Sequence, residues 1–348
     1  MKEPDYHFVH NSFKLNGFHL TEDDLCRIAY SFIKEGEPYE RAVGDFILDW
    51  FDNKDYITMQ TSGTTGLPKM IDVDKQAMVN SALATGRFFD LDPKIQVLHC
   101  LPTQYVAGKM MLVRAFILGW ELDLVEPVAN PLERGDTVYH FAAMVPLQAQ
   151  HSLNQLHRVK KLILGGAKVS QALSEQLKEV STEIYETYGM TETITHIAAK
   201  RVGEEAFTVL PNVRISQDER QCLVIDPYMI CDEPVVTNDI VKIVNDQQFI
   251  WLGRYDNVIN SGGVKLFPEQ IEEKLSGRIQ GRYFVKGVPD EKLGEKLVLV
   301  VEGSPYEIDK KVFSKLNKFE KPKEILFIEK FAETASGKII RDKSMATA

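Results

Sequence analysis

Apolar residues recur at helical spacing over residues 21–34, behind Thr21 and the acids Glu22, Asp23 and Asp24. This pattern predicts a helix with Thr21 as N-cap and negative charge in its first turn. Residues 40–51 predict a second helix. Residues 56–60 predict a strand running into a Gly/Ser/Thr loop, and residues 70–73 predict the returning strand. Asp74 then caps a helix reaching about Phe89. Beyond it, strands at 96–101, 121–125, 140–145, 161–164 and 183–187 alternate with helices at 107–118 and 170–180. Alternation of this kind predicts an α/β layered fold with a largely parallel sheet. From Phe207 to Leu252 the pattern becomes short strands and turns, which predicts an antiparallel β subdomain. A Gly/Asp/Asn/Ser-rich break over 253–263 leads into a compact α+β pattern: a helix at 268–275, strands near 282–288 and 297–302, a helix at 308–316 and a strand at 324–327. The expected organisation is a large N-terminal α/β domain with layered sheets plus a β subdomain, residues 1–254, and a small α+β C-terminal domain, residues 257–348. The boundary falls at Asp256.

The chain has 348 residues, 44% hydrophobic and 26% charged, the balance of a soluble globular protein with a large core. The net charge of −9 argues against nucleic acid as a partner, although a local pocket can still be basic. Cys26, Cys100, Cys222 and Cys231 form no CxxC pair and have no histidines spaced to complete a zinc set, which predicts reduced thiols in a cytoplasmic protein. The most apolar stretch, residues 110–129, is broken by Arg114, Glu121, Asp123 and Glu126, so no membrane span is expected. The first residues carry no apolar signal core and the last no lipidation box.

Residues 61–69 read Thr-Ser-Gly-Thr-Thr-Gly-Leu-Pro-Lys. Gly63 and Gly66 allow close backbone approach to a ligand. The hydroxyls of Thr61, Ser62, Thr64 and Thr65, with Lys69, supply donors for phosphate oxygens, and backbone N–H groups in such a turn form an anion-binding concavity. A Walker A loop needs Gly-Lys-Ser/Thr opening a helix, whereas here Pro68 precedes Lys69 and Met70 follows. The string resembles the phosphate loop of the adenylate-forming superfamily of acyl-CoA synthetases, luciferases and peptide-synthetase adenylation domains.

Four further strings follow in that superfamily's order. Residues 188–193, Tyr-Gly-Met-Thr-Glu-Thr, resemble its second nucleotide signature. The resemblance implies nucleotide contacts from Tyr188, Gly189, Met190 and Thr191: a ring over adenine and a hydroxyl on the α-phosphate. It also implies that Glu192 holds Mg²⁺, which takes one or two carboxylates with phosphate oxygens and water. Residues 237–239 read Thr-Asn-Asp where the family has Thr-Gly-Asp, with Asp239 placed to accept from both ribose hydroxyls. Asn238 departs from the pattern, and its tolerance of left-handed φ would preserve a turn there. Residues 253–272 resemble the hinge and the loop beyond it. Arg254 is implied at ribose or phosphate, Asp256 as the pivot of a mobile small domain, and Gly262, Gly263 and Lys265 beside the CoA arm. Residues 334–341, Thr-Ala-Ser-Gly-Lys-Ile-Ile-Arg, imply that Lys338 is the mobile catalytic lysine, acting with Thr64 and Glu192.

Arg114 stands inside an apolar helical stretch, where arginine requires an anionic partner. Two partners stay open: an internal Asp or Glu, or a second carboxylate on the substrate. The segment around Arg114, with Gly165-Gly166-Ala167 and Ser261-Gly262, resembles the acyl and aryl pocket of o-succinylbenzoate–CoA ligases of menaquinone biosynthesis. Tyr105 stands where many relatives carry histidine. His196 either lines the pocket or is structural. Fewer residues precede the phosphate loop than in most members, so a shortened N-terminal region is expected. The resemblance implies an enzyme that uses ATP, Mg²⁺ and coenzyme A to activate a carboxylic acid, and a homodimer stays open. Rival readings are a ligase for another aromatic or short-chain acid, an adenylation domain loading a carrier protein, and a nucleotide-binding regulator without catalysis.

Overall fold

A computed structural model describes residues 4–60, 70–333 and 339–346. The local signals at the helix starts are realised in it. Thr21 Oγ1 accepts from the Asp24 amide while Asp24 Oδ2 accepts from the Thr21 amide, a reciprocal box opening the helix Glu22–Glu35. Asp74 Oδ1 accepts from the Ala77 amide at 2.6 Å at the head of Lys75–Phe88. Helix Pro38–Trp50 starts two residues before the expected position, because Pro38 suits a first turn whose N–H is spare.

A parallel sheet forms from Glu121–Leu124, Gln96–His99, Tyr139–Met144, Val159–Leu164 and Glu183–Gly189, in that spatial order. The expected antiparallel strands are present and extend the same sheet. His196–Arg201 pairs antiparallel with Glu183–Gly189, and Ala206–Val209, Gln248–Arg254, Val235–Asn245, Cys222–Asp226 and Arg214–Gln217 follow outward. With Lys14–Leu15 and Phe18–His19 at the opposite edge, thirteen strands form one continuous sheet. Strand alternation fixes which residues face the core, but not which edge an outlying strand joins.

A second sheet of five strands uses Ile259–Ser261, Val264–Leu266, Tyr283–Asp290, Gly294–Glu302 and Glu324–Ile328. The helix Pro268–Leu275 lies where expected, whereas residues 310–315 form a 3₁₀ helix. Among the described residues, no strand of the second sheet pairs with the first.

The helix Val106–Leu118 is mostly apolar and is buried at Gly108 and continuously from Met110 to Ile117. It packs on Lys75–Phe88. Phe13, Phe46, Trp50, Phe116, Trp120 and Phe141 share its core cluster, each contributing about 1.5–3 kcal/mol by burial. A Cβ on Gly108 would stand 2.4 Å from the Pro102 carbonyl oxygen, so only glycine lets the helix start here. Among the described residues, no helix is long and apolar enough to cross a membrane.

His99 ends its strand fully buried. Its Nε2 lies 3.2 Å from Thr103 Oγ1, while its Nδ1 has no partner among the described residues. Burial pushes its pKa down to about 4. The unfolded chain therefore takes up this proton first as pH falls, and the contribution to stability present above about pH 6.5 drains away towards pH 4. Between pH 7.5 and 5 the loss is about 2 kcal/mol. Urea denaturation of His99→Gln should show a pH dependence shallower by about that amount; an unchanged dependence contradicts this account.

Candidate active site

The carboxyl ends of adjacent parallel strands bring two expected segments side by side. Gly165, Gly166 and Ala167 follow Val159–Leu164, and Tyr188 and Gly189 close Glu183–Gly189. Thr187 Oγ1 donates to the Leu164 carbonyl at 2.9 Å and would stand 2.9 Å from a Cβ on Gly165, closer than ordinary contact allows. Outside the carboxyl ends of such strands is where α/β sheets bind ligands. Gly189 has no room for a side chain either, since a Cβ would lie 2.3 Å from the Thr195 carbonyl oxygen.

Tyr188 turns its ring edge-on to Phe249 and donates its hydroxyl to Asp239 Oδ2 at 2.7 Å. Asp239, 6% exposed, is the hub. Its Oδ1 accepts from Trp251 Nε1 at 3.2 Å and lies 3.5 Å from Arg254 Nη1. Arg254 Nη2 reaches Asp256 Oδ2 at 3.6 Å. Four expected residues, Tyr188, Asp239, Arg254 and Asp256, thus form one polar chain. Burial, reinforced by Asp239, keeps the Tyr188 phenol protonated by raising its pKa.

The expectation for Asn238 is corrected. It lies in the extended strand Val235–Asn245 with no positive φ, and its Oδ1 accepts from Arg220 Nη1 at 2.9 Å. Arg220 also donates to the Thr237 carbonyl and lies over the Tyr255 ring, so a longer side chain in place of glycine has gained a partner.

Met190 leads into a 3₁₀ turn, Thr191–Thr193, which leaves Glu192 exposed. Its carboxylate makes no hydrogen bond or ion pair with the described residues; only its main-chain oxygen is engaged, by Cys231 Sγ at 3.1 Å.

Arg114 is 2% exposed. Nη2 lies 3.3 Å from Thr195 Oγ1 and 3.5 Å from His196 Nδ1, Nη1 faces only Met111 Sδ at 3.7 Å, and Nε has no partner. No Asp or Glu among the described residues pairs with it, so the internal ion pair left open by the sequence is not formed there. Burial pulls the Arg114 pKa down to about 9, which still leaves it charged at neutral pH.

Ser261, Gly262, Gly263 and Lys265 lie on the first hairpin of the second sheet. Gly262 and Gly263 take φ of 57° and 81°, the pair of positive values that a two-residue turn of this hand demands. The turn alone accounts for both glycines, and no hydrogen bond or ion pair joins this hairpin to the Asp239 chain among the described residues. Thr61, Ser62, Gly63, Thr64, Thr65, Gly66, Lys69 and Lys338 lie outside the described residues.

The sequence profile of the family described as AMP-binding enzyme matches residues 26–229. The chain belongs to this family. It is 37% identical to the acyl-CoA synthetase (AMP-forming)/AMP-acid ligase II-like protein of Dyadobacter fermentans, whose crystal structure superposes with a TM-score of 0.63 over 92% of this chain and 97% of that one. It is 28% identical to the 2-succinylbenzoate–CoA ligase of Listeria monocytogenes serotype 4b, over 93% of this chain and 76% of that relative. The o-succinylbenzoate–CoA synthetase of Bacillus subtilis, solved with ATP and magnesium, shares the fold at a TM-score of 0.68 and 19% identity, over 83% of this chain and 69% of that one.

In this AMP-binding enzyme, sequence reasoning missed Trp251, Arg220 and Thr195. Trp251 stands three residues before Arg254 on its strand, and only the register shift between Ile240 and Val241 brings both to Asp239, so strict alternation gave no signal for it. Arg220 offered only a local pairing with Asp218; its contacts with Thr237 and Asn238, like that of Thr195 with Arg114, join positions distant in sequence.

Removing the hub should cost far more than removing one of its donors. Asp239→Ala strands Tyr188, Trp251 and Arg254 together and should destabilise by about 3 kcal/mol or more, against about 1 kcal/mol for Tyr188→Phe. Urea midpoints measure both, and equal losses would deny Asp239 its central place.

Proposed function

We propose that this AMP-binding enzyme is an ATP-dependent o-succinylbenzoate–CoA ligase. The oxygen of one substrate carboxylate attacks the α-phosphorus of ATP, forming an acyl-adenylate as pyrophosphate leaves. The CoA thiol, losing its proton, then attacks the adenylate carbonyl, and AMP leaves as the thioester forms. A carboxylate needs this activation because its own leaving group would be oxide.

One observation carries the choice of acid: the buried, charged Arg114 has no carboxylate opposite it among the described residues. A substrate with a second carboxylate supplies what folding has not, and o-succinylbenzoate has two. The names of relatives such as the Listeria ligase agree with that chemistry. Gly165, Gly166, Ala167 and Ser261 would border the same acid, with Gly262, Gly263 and Lys265 toward CoA.

On the nucleotide side, Asp239 would accept from the ribose hydroxyls with its remaining lone pairs, and Arg254 would face ribose or phosphate. Tyr188, Gly189, Met190 and Thr191 would line adenine and the α-phosphate. The exposed carboxylate of Glu192, without a partner among the described residues, suits a magnesium ion held by one protein acid, with phosphate and water as its other ligands. Such an ion supplies charge neutralisation to the phosphates. Thr61, Ser62, Gly63, Thr64, Thr65, Gly66, Lys69 and Lys338 take their roles from resemblance alone. Lys338 would stabilise the charge gathered on the α-phosphate, the kind of aimed electrostatics that is usually the largest catalytic contribution.

Lys338 in that position would obstruct the thiol, so we assign residues 257–348 to a small domain that swings about Asp256 between the two steps. In support, the contact between the two parts includes an exposed pair, Lys168 Nζ to Glu273 Oε2 at 2.9 Å, of a kind that holds weakly. The four cysteines are all free, as suits a reducing cytoplasm.

Pyrophosphate release over a panel of aromatic and short-chain acids, with and without CoA, tests the reading. o-Succinylbenzoate should turn over fastest, and acyl-CoA should accumulate only with CoA present. Preference for a monocarboxylic acid, or transfer only to a carrier protein, would displace the proposal. Arg114→Gln should raise the KM for o-succinylbenzoate about 10²-fold. Lys338→Ala should slow adenylation by about 10²–10³ and spare thioester formation from supplied acyl-adenylate; an equal fall in both half-reactions contradicts the role given to Lys338.

A further inference from the structure

We infer that His196 is a positioning residue for substrate selection, a neutral acceptor that aims the Arg114 guanidinium at the second carboxylate. This rests on the reading of Arg114 as the partner of that carboxylate.

The direction of each hydrogen bond follows from chemistry. A guanidinium has no acceptor, so the contact of 3.5 Å between Arg114 Nη2 and His196 Nδ1 requires an unprotonated Nδ1. The imidazole proton then sits on Nε2, which lies 3.4 Å from Thr85 Oγ1. Thr85 in turn donates to the Ser81 carbonyl at 3.0 Å. The chain runs from Arg114 through His196 and Thr85 to the backbone; Thr195 Oγ1, which accepts from the same Nη2, lies 3.3 Å from Nδ1 and donates its own proton there, so the Nε2–H tautomer satisfies every contact. Burial, followed by the Arg114 charge, holds the His196 pKa well below its ordinary value, in agreement with that neutral form.

A carboxylate in place of His196 would orient Arg114 equally well but would also neutralise it. A neutral embedded acceptor fixes the guanidinium through Nη2 and leaves its charge, its Nε–H and one Nη1–H for an incoming anion.

The backbone that delivers His196 is strained. Ile194, buried and β-branched, adopts φ 66° and ψ −58°, and the Thr195 amide donates to the Thr193 carbonyl at 2.7 Å. This is a γ-turn of the rarer hand. A non-glycine residue persists there only when its surroundings over-determine it. Thr193 does so: its hydroxyl donates toward the Met190 and Thr195 carbonyls, at 3.0 and 2.9 Å, and accepts from the Met190 amide at 3.1 Å. The strained turn lies between Glu192 and the two side chains that hold Arg114.

The test compares His196→Phe, which keeps a ring and removes the acceptor, with His196→Asn, which keeps an acceptor. His196→Phe should raise the KM for o-succinylbenzoate about tenfold, with the KM for ATP and the kcat little changed. His196→Asn should recover part of that loss. The analogue that lacks the second carboxylate, the one not activated, should show no further penalty in either variant. Arg114→Gln/His196→Phe should match Arg114→Gln alone. In the wild type, ¹⁵N NMR of the imidazole should report an Nε2–H tautomer at neutral pH. A doubly protonated ring, a loss confined to kcat, or additive effects in the double variant overturns the inference. If Arg114→Gln alters KM and His196→Phe does not, this inference fails and the acid assignment stands; if Arg114→Gln is silent, both fall.

Discussion

A positive charge buried without a counter-charge among the described residues governs the region where the sheet, the Val106–Leu118 helix and the Glu192 turn meet. Desolvation of Arg114 is unfavourable whether or not anything binds, and the large apolar core around it must carry that penalty. An anion that enters the site relieves the penalty, so part of its binding free energy was set aside when the chain folded. A core built for stability alone would place leucine or methionine at this position.

The second polar centre obeys the opposite rule. Asp239 is as buried as His196, yet it is satisfied by Tyr188, Trp251 and Arg254 before any ligand arrives. It is a rigid fixture, whereas Arg114 is an open valence. A single short segment connects the two. Tyr188 ends a parallel strand and contacts Asp239, the 3₁₀ turn projects Glu192, and the next strand returns with His196 against Arg114. The tight approach at Gly189 and the γ-turn at Ile194 are what allow nine residues to serve both centres.

Those centres were unequally legible. Thr21 and Asp74 announced their helices because a cap and its amide are three residues apart, and the helix Pro268–Leu275 fell where its pattern put it. The helix expected over 308–316 tightened to 3₁₀ at Lys310–Lys315, a choice between neighbouring hydrogen-bond patterns that propensity does not make. Asn238 suggested a left-handed turn from its own preferences, and Arg220 overrode them. The glycines at 262 and 263 were read as making way for CoA; they are in any case required by their own hairpin.

By itself the sequence determined the family, the order of the nucleotide-binding strings, most helix ends and the alternation of strands and helices, because each of these depends on residues close along the chain. It also exposed Arg114 as an anomaly, a charge in an apolar run. Only the tertiary structure decided that no protein carboxylate among the described residues meets that charge, that a histidine eighty-two positions away receives it, and that the outlying strands extend one sheet instead of forming another. Burial and partnership depend on what other parts of the chain bring to a point in space, and neither periodicity nor propensity carries that information.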